Sequence, residues 1–211
     1  MKLYEFAPTR SIRVRWTLQE LGVPFESITV DLRKGENRTP EFLKVNPAGK
    51  LPVLVDGALV LTESVAIVLY LAEKYPEKGL LPRDLAGRTE VHRWLLFAAT
   101  ELEQPLWRIA RNSFIYPEAQ RQPSDIAVAR REFGDMAAVV DAHVRDREFL
   151  VGNRVTVADF VMAYTLDWAN EEKLLARFPR LGAYMQRMYE RPSAAMRISE
   201  AFATLGGMPA S

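Results

Sequence analysis

Residues 46–57 read NPAGKLPVLVDG, and after Ala58–Leu61 the chain continues with Thr62-Glu63-Ser64. The reading is an apolar strand, Leu51–Asp56, entered through a Leu51-Pro52 peptide and closed by a tight Asp56-Gly57 turn. A second short strand, Ala58–Leu61, follows, and Ser64 then opens a helix running to Lys74. Proline lacks an N–H and is tolerated in a sheet only at an edge, a bulge or a first residue. At the mouth of a good strand, Leu51-Pro52 is therefore a candidate cis peptide. Such a bond would turn the backbone N–H and C=O of Leu51 outward, where an extended peptide can pair with them. Glu63 and Ser64 at a helix N-terminus offer a seat for a carboxylate. Taken singly, the proline and the serine are ordinary punctuation of a hairpin and a helix start. In this order they describe a surface that holds a small peptide with an acidic end.

Working outward, Lys2–Phe6 reads as a strand and Ile12–Leu21 as a helix, stopped by Gly22 and Pro24. Phe25–Val30 alternates as a second strand, and Thr39-Pro40 caps and starts a short helix through Val45. The order β-α-β-α-β-β-α implies a mixed sheet with helices on its faces. Residues 75–85, YPEKGLLPRDL, break the periodicity and read as a linker, giving an α/β domain at 1–78 and an all-helical domain at 86–211. In the second domain Arg88–Arg111 is helical, and a long amphipathic helix runs from Ser124-Asp125 to about Asp146. Thr156 and Asp159 make a capping-box start before FVMAYTL, Pro179 and Pro192 read as breakers, and the GGMPAS tail is expected to fray.

Composition narrows the function. The 211 residues carry a net charge of +1, which favours neither nucleic acid nor an anionic membrane. No apolar run approaches the ~18 residues of a membrane span. MKLYEFAP enters a strand directly, without a signal peptide's apolar stretch, so the expected location is cytoplasmic. With no cysteine there is no disulfide, thiolate metal site or cysteine nucleophile, and His92 and His143 have no ligand-like spacing, so no metal is expected.

The motif order resembles the glutathione-binding half of the cytosolic glutathione transferases, and the α/β-then-helical layout extends the resemblance over nearly the whole chain. LVGNRVTVADF at 150–160 is similar to that family's helical-domain signature. The resemblance implies an N-terminal thioredoxin-like domain (β-α-β-α-β-β-α) followed by a helical bundle. It also implies glutathione as co-substrate, a small hydrophobic electrophile as partner, detoxification as the role, and a homodimer. By the same token Lys50 would meet the glycine carboxylate of glutathione, and Leu51, before Pro52, would give backbone hydrogen bonds to its cysteinyl part. Glu63 and Ser64 would hold the γ-glutamyl ammonium and carboxylate. Alone, Lys50 would be a solvated lysine; the charges expected of each role fit.

Such an enzyme needs glutathione as thiolate, yet a free thiol with pKa near ~8.5 is mostly protonated at neutral pH. A hydroxyl at a helix N-terminus, helped by a cation, can favour the anion. Ala7–Arg13 offers two hydroxyls and two guanidiniums there. Ser11 is the leading catalytic candidate and also a plain N-cap candidate; Thr9 is the second, and strand residue Tyr4 the third. FAPT at 6–9 resembles the nu-class bacterial transferases, which carry Asn where this chain has Ser11. Cysteine-type classes are excluded, and the zeta-class serine-cysteine motif is absent. Trp107, Arg108, Arg111 and Phe114, at the end of the helix after the linker, are candidates to line an apolar second-substrate cleft. Two other activities fit the same sequence: glutathione-dependent disulfide or peroxide reduction, and non-catalytic ligand binding or regulation.

Overall fold

A computed structural model describes residues 1–206 of the chain, so most of the tail expected to fray lies outside the described residues. Four strands, β1 (Lys2–Glu5), β2 (Glu26–Thr29), β3 (Val53–Asp56) and β4 (Leu59–Leu61), form one sheet in the order β2-β1-β3-β4. β1 runs parallel to β2 and antiparallel to β3, and β3 pairs antiparallel with β4. Successive side chains point to opposite faces. Leu3 and Leu54 therefore enter the main core, while Tyr4 and Val53 join a smaller cluster with Val30 and Phe42.

Helices α1 (Ser11–Leu21) and α3 (Ser64–Lys74) pack together, and α2 (Pro40–Val45) brings Phe42 to the smaller cluster. Thr39 caps α2 by accepting from Phe42 N–H at 3.3 Å. The strands are shorter than the sequence reading. Leu51 and Pro52 precede the β3 ladder, as a residue without an N–H requires. Two 3₁₀ turns, Leu32–Lys34 and Glu36–Arg38, fill the segment before α2; the carboxylate of Asp31 caps the first of them.

After a 3₁₀ turn at Pro76–Lys78, an unbroken helical run comprises α4 (Leu85–Phe97), a π stretch (Ala98–Leu102), α5 (Glu103–Ala110) and a second π stretch (Arg111–Ile115). It outruns the expected Arg88–Arg111 at both ends. Pro105 has no N–H to give the carbonyl four residues back, and the first π stretch includes that residue, Glu101. Next come α6 (Pro123–His143), α7 (Val157–Glu171), α8 (Pro179–Tyr189) and α9 (Ile198–Thr204). Pro179 is a correction: it begins α8 at the first helical position, where its missing N–H costs nothing. α6 likewise opens on proline and stops at His143, short of Asp146.

α7 is buried along almost its whole length and packs against α1, α3, α4 and α8. Its start holds as expected: the Asp159 carboxylate accepts from Thr156 N–H and Leu150 N–H, both at 2.8 Å, and from Tyr184 Oη at 2.6 Å. Trp16 of α1 stacks on Phe160 of α7, with centroids 5.3 Å apart, so one core runs through the sheet helices and the bundle. Among the described residues, no helix is long and apolar enough to cross a membrane, and no cluster of His, Cys, Asp and Glu could hold a metal.

Candidate active site

Sheet topology decides where the motifs meet. β1 and β3 are antiparallel, so the loop leaving β1 (7–10) and the Leu51-Pro52 entry to β3 lie at the same end of the sheet. Leu54 pairs with Leu61, so β4 also finishes at that end and delivers Thr62-Glu63-Ser64 there. Three stretches separated by dozens of residues thus open onto one rim.

At the first, Ser11 is not the N-cap of α1. Arg10 holds that position without a side-chain cap, and Ser11 is the first helical residue. Thr9 Oγ1 donates to Phe6 O at 2.5 Å, which leaves Ser11 Oγ to donate to Thr9 Oγ1 at 2.8 Å; Ser11 Oγ accepts from Phe6 N–H at 3.3 Å. The four groups close a ring. Phe6 O also accepts Thr9 N–H at 2.9 Å, so the Thr9 hydroxyl can swing to another acceptor without stranding that carbonyl. Ser11 is 1% exposed, whereas Thr9 is half-buried, so the second-ranked hydroxyl is the one facing out. Tyr4 packs edge-on against Phe42, 6.1 Å between centroids, which is its core role. The Ala7-Pro8 and Leu51-Pro52 peptides are both cis; the sequence reading anticipated the second only.

The two guanidiniums of this loop part company. Arg13 is buried, ion-paired to Glu103 of α5, with its guanidinium carbon 4.8 Å from the centroid of Tyr164. Arg10 is half-buried: its Nε donates to Glu103 Oε2 at 2.6 Å, and its guanidinium lies 5.7 and 5.6 Å from the ring centroids of Trp107 and Trp168. Burial alone would lower the Arg10 pKa, but Glu103, with Tyr164 and Glu63, holds it above its usual value. Burial likewise opposes the charge on Glu103, yet Arg13 and Arg10, with Thr165 donating at 2.9 Å, keep its carboxyl below the ordinary range. Burial pushes the Tyr164 phenol up to about 12, so it stays protonated and donates to Pro8 O at 3.2 Å.

At the second stretch, Asn46 Nδ2 donates to Lys50 O at 2.8 Å, and Asn37 Nδ2 to Gly49 O at 2.7 Å. Gly49 has φ of 63°, and a Cβ there would stand 2.8 Å from Arg38 Nη1 and 2.9 Å from Asn37 O. The loop is thus built to hold Lys50 out and Leu51 at the rim; Lys50 is exposed. At the third, Ser64 begins α3 and is 5% exposed. Glu63 before it has φ 63° and ψ 108°, outside even the left-handed region open to L residues. A non-glycine outlier of this kind persists where the surroundings dictate it, and such residues gather at ligand sites.

The second-substrate candidates divide by helical face. Trp107 and Arg111 sit together, with the Arg111 guanidinium 6.0 Å from the Trp107 centroid and Nη1 donating to Tyr116 Oη at 3.1 Å. Phe114 is half-buried in the second π stretch. Arg108 corrects the expectation: its guanidinium is ion-paired to Asp125 and Glu132 of α6. Sequence reasoning missed Glu103 and Trp168. Neither sits in a local motif, since each meets the α1 loop only through the packing of α5 and α7. A surface concavity of about 690 Å³ at the C-terminal end of α6, lined by His143, Asp146 and Arg147 among others, shares none of these residues.

Residues 1–73 match the family model "Glutathione S-transferase, N-terminal domain", and residues 102–192 match "Glutathione S-transferase, C-terminal domain". Glutathione S-transferase F10 of Arabidopsis thaliana is 40% identical over 166 residues, 75% of this chain and 77% of the relative. Glutathione S-transferase GstA of Escherichia coli O157:H7 is 34% identical over 199 residues, 91% and 94% of the two chains. The solved structure of the glutathione transferase URE2P6 from Phanerochaete chrysosporium, in complex with oxidized glutathione, superposes with a TM-score of 0.83 at 29% identity, covering 97% of this chain and 96% of that one.

Proposed function

The chain belongs to the glutathione S-transferase family, and from that premise we propose that it is an enzyme adding the glutathione thiolate to small electrophiles. The observation that carries the proposal is the convergence of the Thr9–Ser11 hydroxyl pair, the Leu51-Pro52 edge and Glu63-Ser64 on one end of the sheet. In this reading residues 1–78 bind glutathione. Lys50 meets the glycine carboxylate, the Leu51 backbone meets the cysteinyl unit, Glu63 the ammonium, and Ser64 with the first N–H groups of α3 the γ-glutamyl carboxylate. The sulfur then lies at the start of α1. Thr9 Oγ1 turns its proton from Phe6 O to the sulfur, and Ser11, donating to Thr9 Oγ1, strengthens that hydrogen bond from behind. The positive end of α1 and the Arg10 guanidinium favour the anion further.

The chemistry balances simply. The thiol proton passes to solvent, the sulfur lone pair forms a carbon–sulfur bond, and the electrophile either releases its leaving group or takes up a proton from water. The bundle, residues 86–211, supplies the second-substrate wall. Detoxification, a cytoplasmic location and a homodimer complete the reading. For the dimer, the edge strand β4 exposes Leu59 and Val60, and α4 exposes Leu85 and Leu96 three turns apart on one face.

A second reading, glutathione-dependent disulfide reduction, is favoured by the similarity to a transferase solved with oxidized glutathione and needs no protein cysteine. The discriminating experiment supplies purified protein and glutathione with an aryl halide, a hydroperoxide and a disulfide in turn. Turnover of the aryl halide supports conjugation. Turnover confined to the disulfide or peroxide supports reduction, and binding of glutathione without turnover of any would leave a ligand-binding protein.

A further inference from the structure

We propose that the second substrate is a planar aromatic electrophile bearing an anionic group, stacked at Trp107 between Arg10 and Arg111; the inference rests on the transferase reading. Trp107 and Trp168 are both half-buried and meet edge-on, 6.4 Å between centroids, with Arg10 near both rings. Arg111 attends the same Trp107 ring from within its own helical run, 6.0 Å from the centroid, and lies 5.6 Å from that of Tyr116. Aromatic faces recognise planar rings through offset stacking. The charges supply the rest.

Arg10 and Arg13 share the single carboxylate of Glu103, so that group carries one net positive charge. Arg111 adds another. Among the described residues its guanidinium makes a single hydrogen bond, to the neutral Tyr116 hydroxyl, and its Nε is buried with no partner. Asp125, the carboxylate that feels Arg111, is engaged by Arg108 and Asn112. A buried polar group without a partner is costly and calls for an explanation. Nε itself is covered, so the pairing falls to the accessible end of the half-buried guanidinium, where a carboxylate or similar anion on the ligand balances the charge and the half-desolvated surroundings strengthen the contact. Arg111 also starts the second π stretch, a distortion common at functional sites.

The test compares 4-chloro-3-nitrobenzoate with its neutral analogue 4-chloro-3-nitrobenzamide at saturating glutathione. For each, sulfur bonds to the ring carbon, the added electron pair rests on ring and nitro group, and chloride leaves. Each kcat/KM is divided by the uncatalysed rate with glutathione, which removes the difference in intrinsic reactivity. The expected ratio favours the benzoate by about 10- to 100-fold, the scale of one charge-assisted hydrogen bond. It should shrink as salt rises from about 20 mM to about 0.5 M. Arg111→Gln should bring the ratio close to one, and Arg111→Lys should keep most of it, which separates charge from fold. Equal normalised rates in the parent chain, or a ratio untouched by Arg111→Gln, overturn the proposal. Binding of 3-nitrobenzoate against 3-nitrobenzamide, followed by tryptophan fluorescence quenching, needs no turnover. Preference for the benzoate without conjugation would sustain the subsite and overturn the transferase reading; conjugation without charge preference would do the reverse.

Discussion

Two hydroxyls two residues apart would be hard to rank from their spacing, and burial separates them. Ser11 lies inside the ring of hydrogen bonds and is almost fully covered, so in the proposed reaction it acts through Thr9 as a positioning residue. Thr9→Ala should therefore lower kcat/KM by ~10- to 100-fold near neutral pH, one charge-assisted hydrogen bond to the thiolate. It should also raise the pKa of bound glutathione by ~1–2 units in the pH–rate profile. Ser11→Ala should cost less, and the double variant should match Thr9→Ala, because neither change is independent of the other. A folded Ser11→Ala with the larger loss would reverse the assignment. Glu63 invites a different measurement. Its side chain caps nothing in α3, and its backbone sits where glycine is at ease. Glu63→Gly should raise the melting temperature by a few degrees, on the order of 1 kcal/mol of relieved strain, while calorimetry shows weakened glutathione binding. Unchanged affinity would remove Glu63 from the ammonium site.

At the scale of elements, the position of α1 against α5 and α7 depends on a buried carboxylate. Glu103 accepts from Arg10, Arg13 and Thr165, tying the loop that carries Thr9 to the bundle. Glu103→Gln leaves Arg13 charged and covered without its counter-ion and should cost about 3–5 kcal/mol in denaturant unfolding. The pH dependence follows from sign. The folded-state carboxyl lies below its ordinary value of 4.5, so its contribution is complete above that value and is lost as pH falls through the folded one. The parent chain should thus show an acid-side loss of stability that Glu103→Gln lacks. Identical acid profiles would mean that the carboxylate contributes nothing. The passage from α5 into the second π stretch carries Arg111 and Phe114 on a widened turn that no periodicity of side chains reveals.

For the whole molecule, the dimer reading predicts a light-scattering mass of twice the 24.0 kDa chain at micromolar concentration. Leu96→Glu, a charge placed on the exposed face of α4, should shift that mass toward one chain; a monomeric parent would dispose of the prediction. At this scale one can also see what was legible in the chain alone. The order of strands and helices, the cap at Thr39, the box at Thr156 and Asp159, and the NPAGKLP–TES rim all follow from local chemistry: a missing N–H, a side-chain oxygen near free N–H groups, an alternation of apolar residues. Those rules act over a few residues, so a sequence can state them. The covering of Ser11 while Thr9 stays half-buried, the diversion of Arg108 to α6, and the gathering of Arg10, Glu103, Trp107 and Trp168 follow from tertiary packing. They join positions as far apart as 10 and 168, and only close-packed side chains across α1, α5 and α7 decide which group is covered and which keeps some exposure.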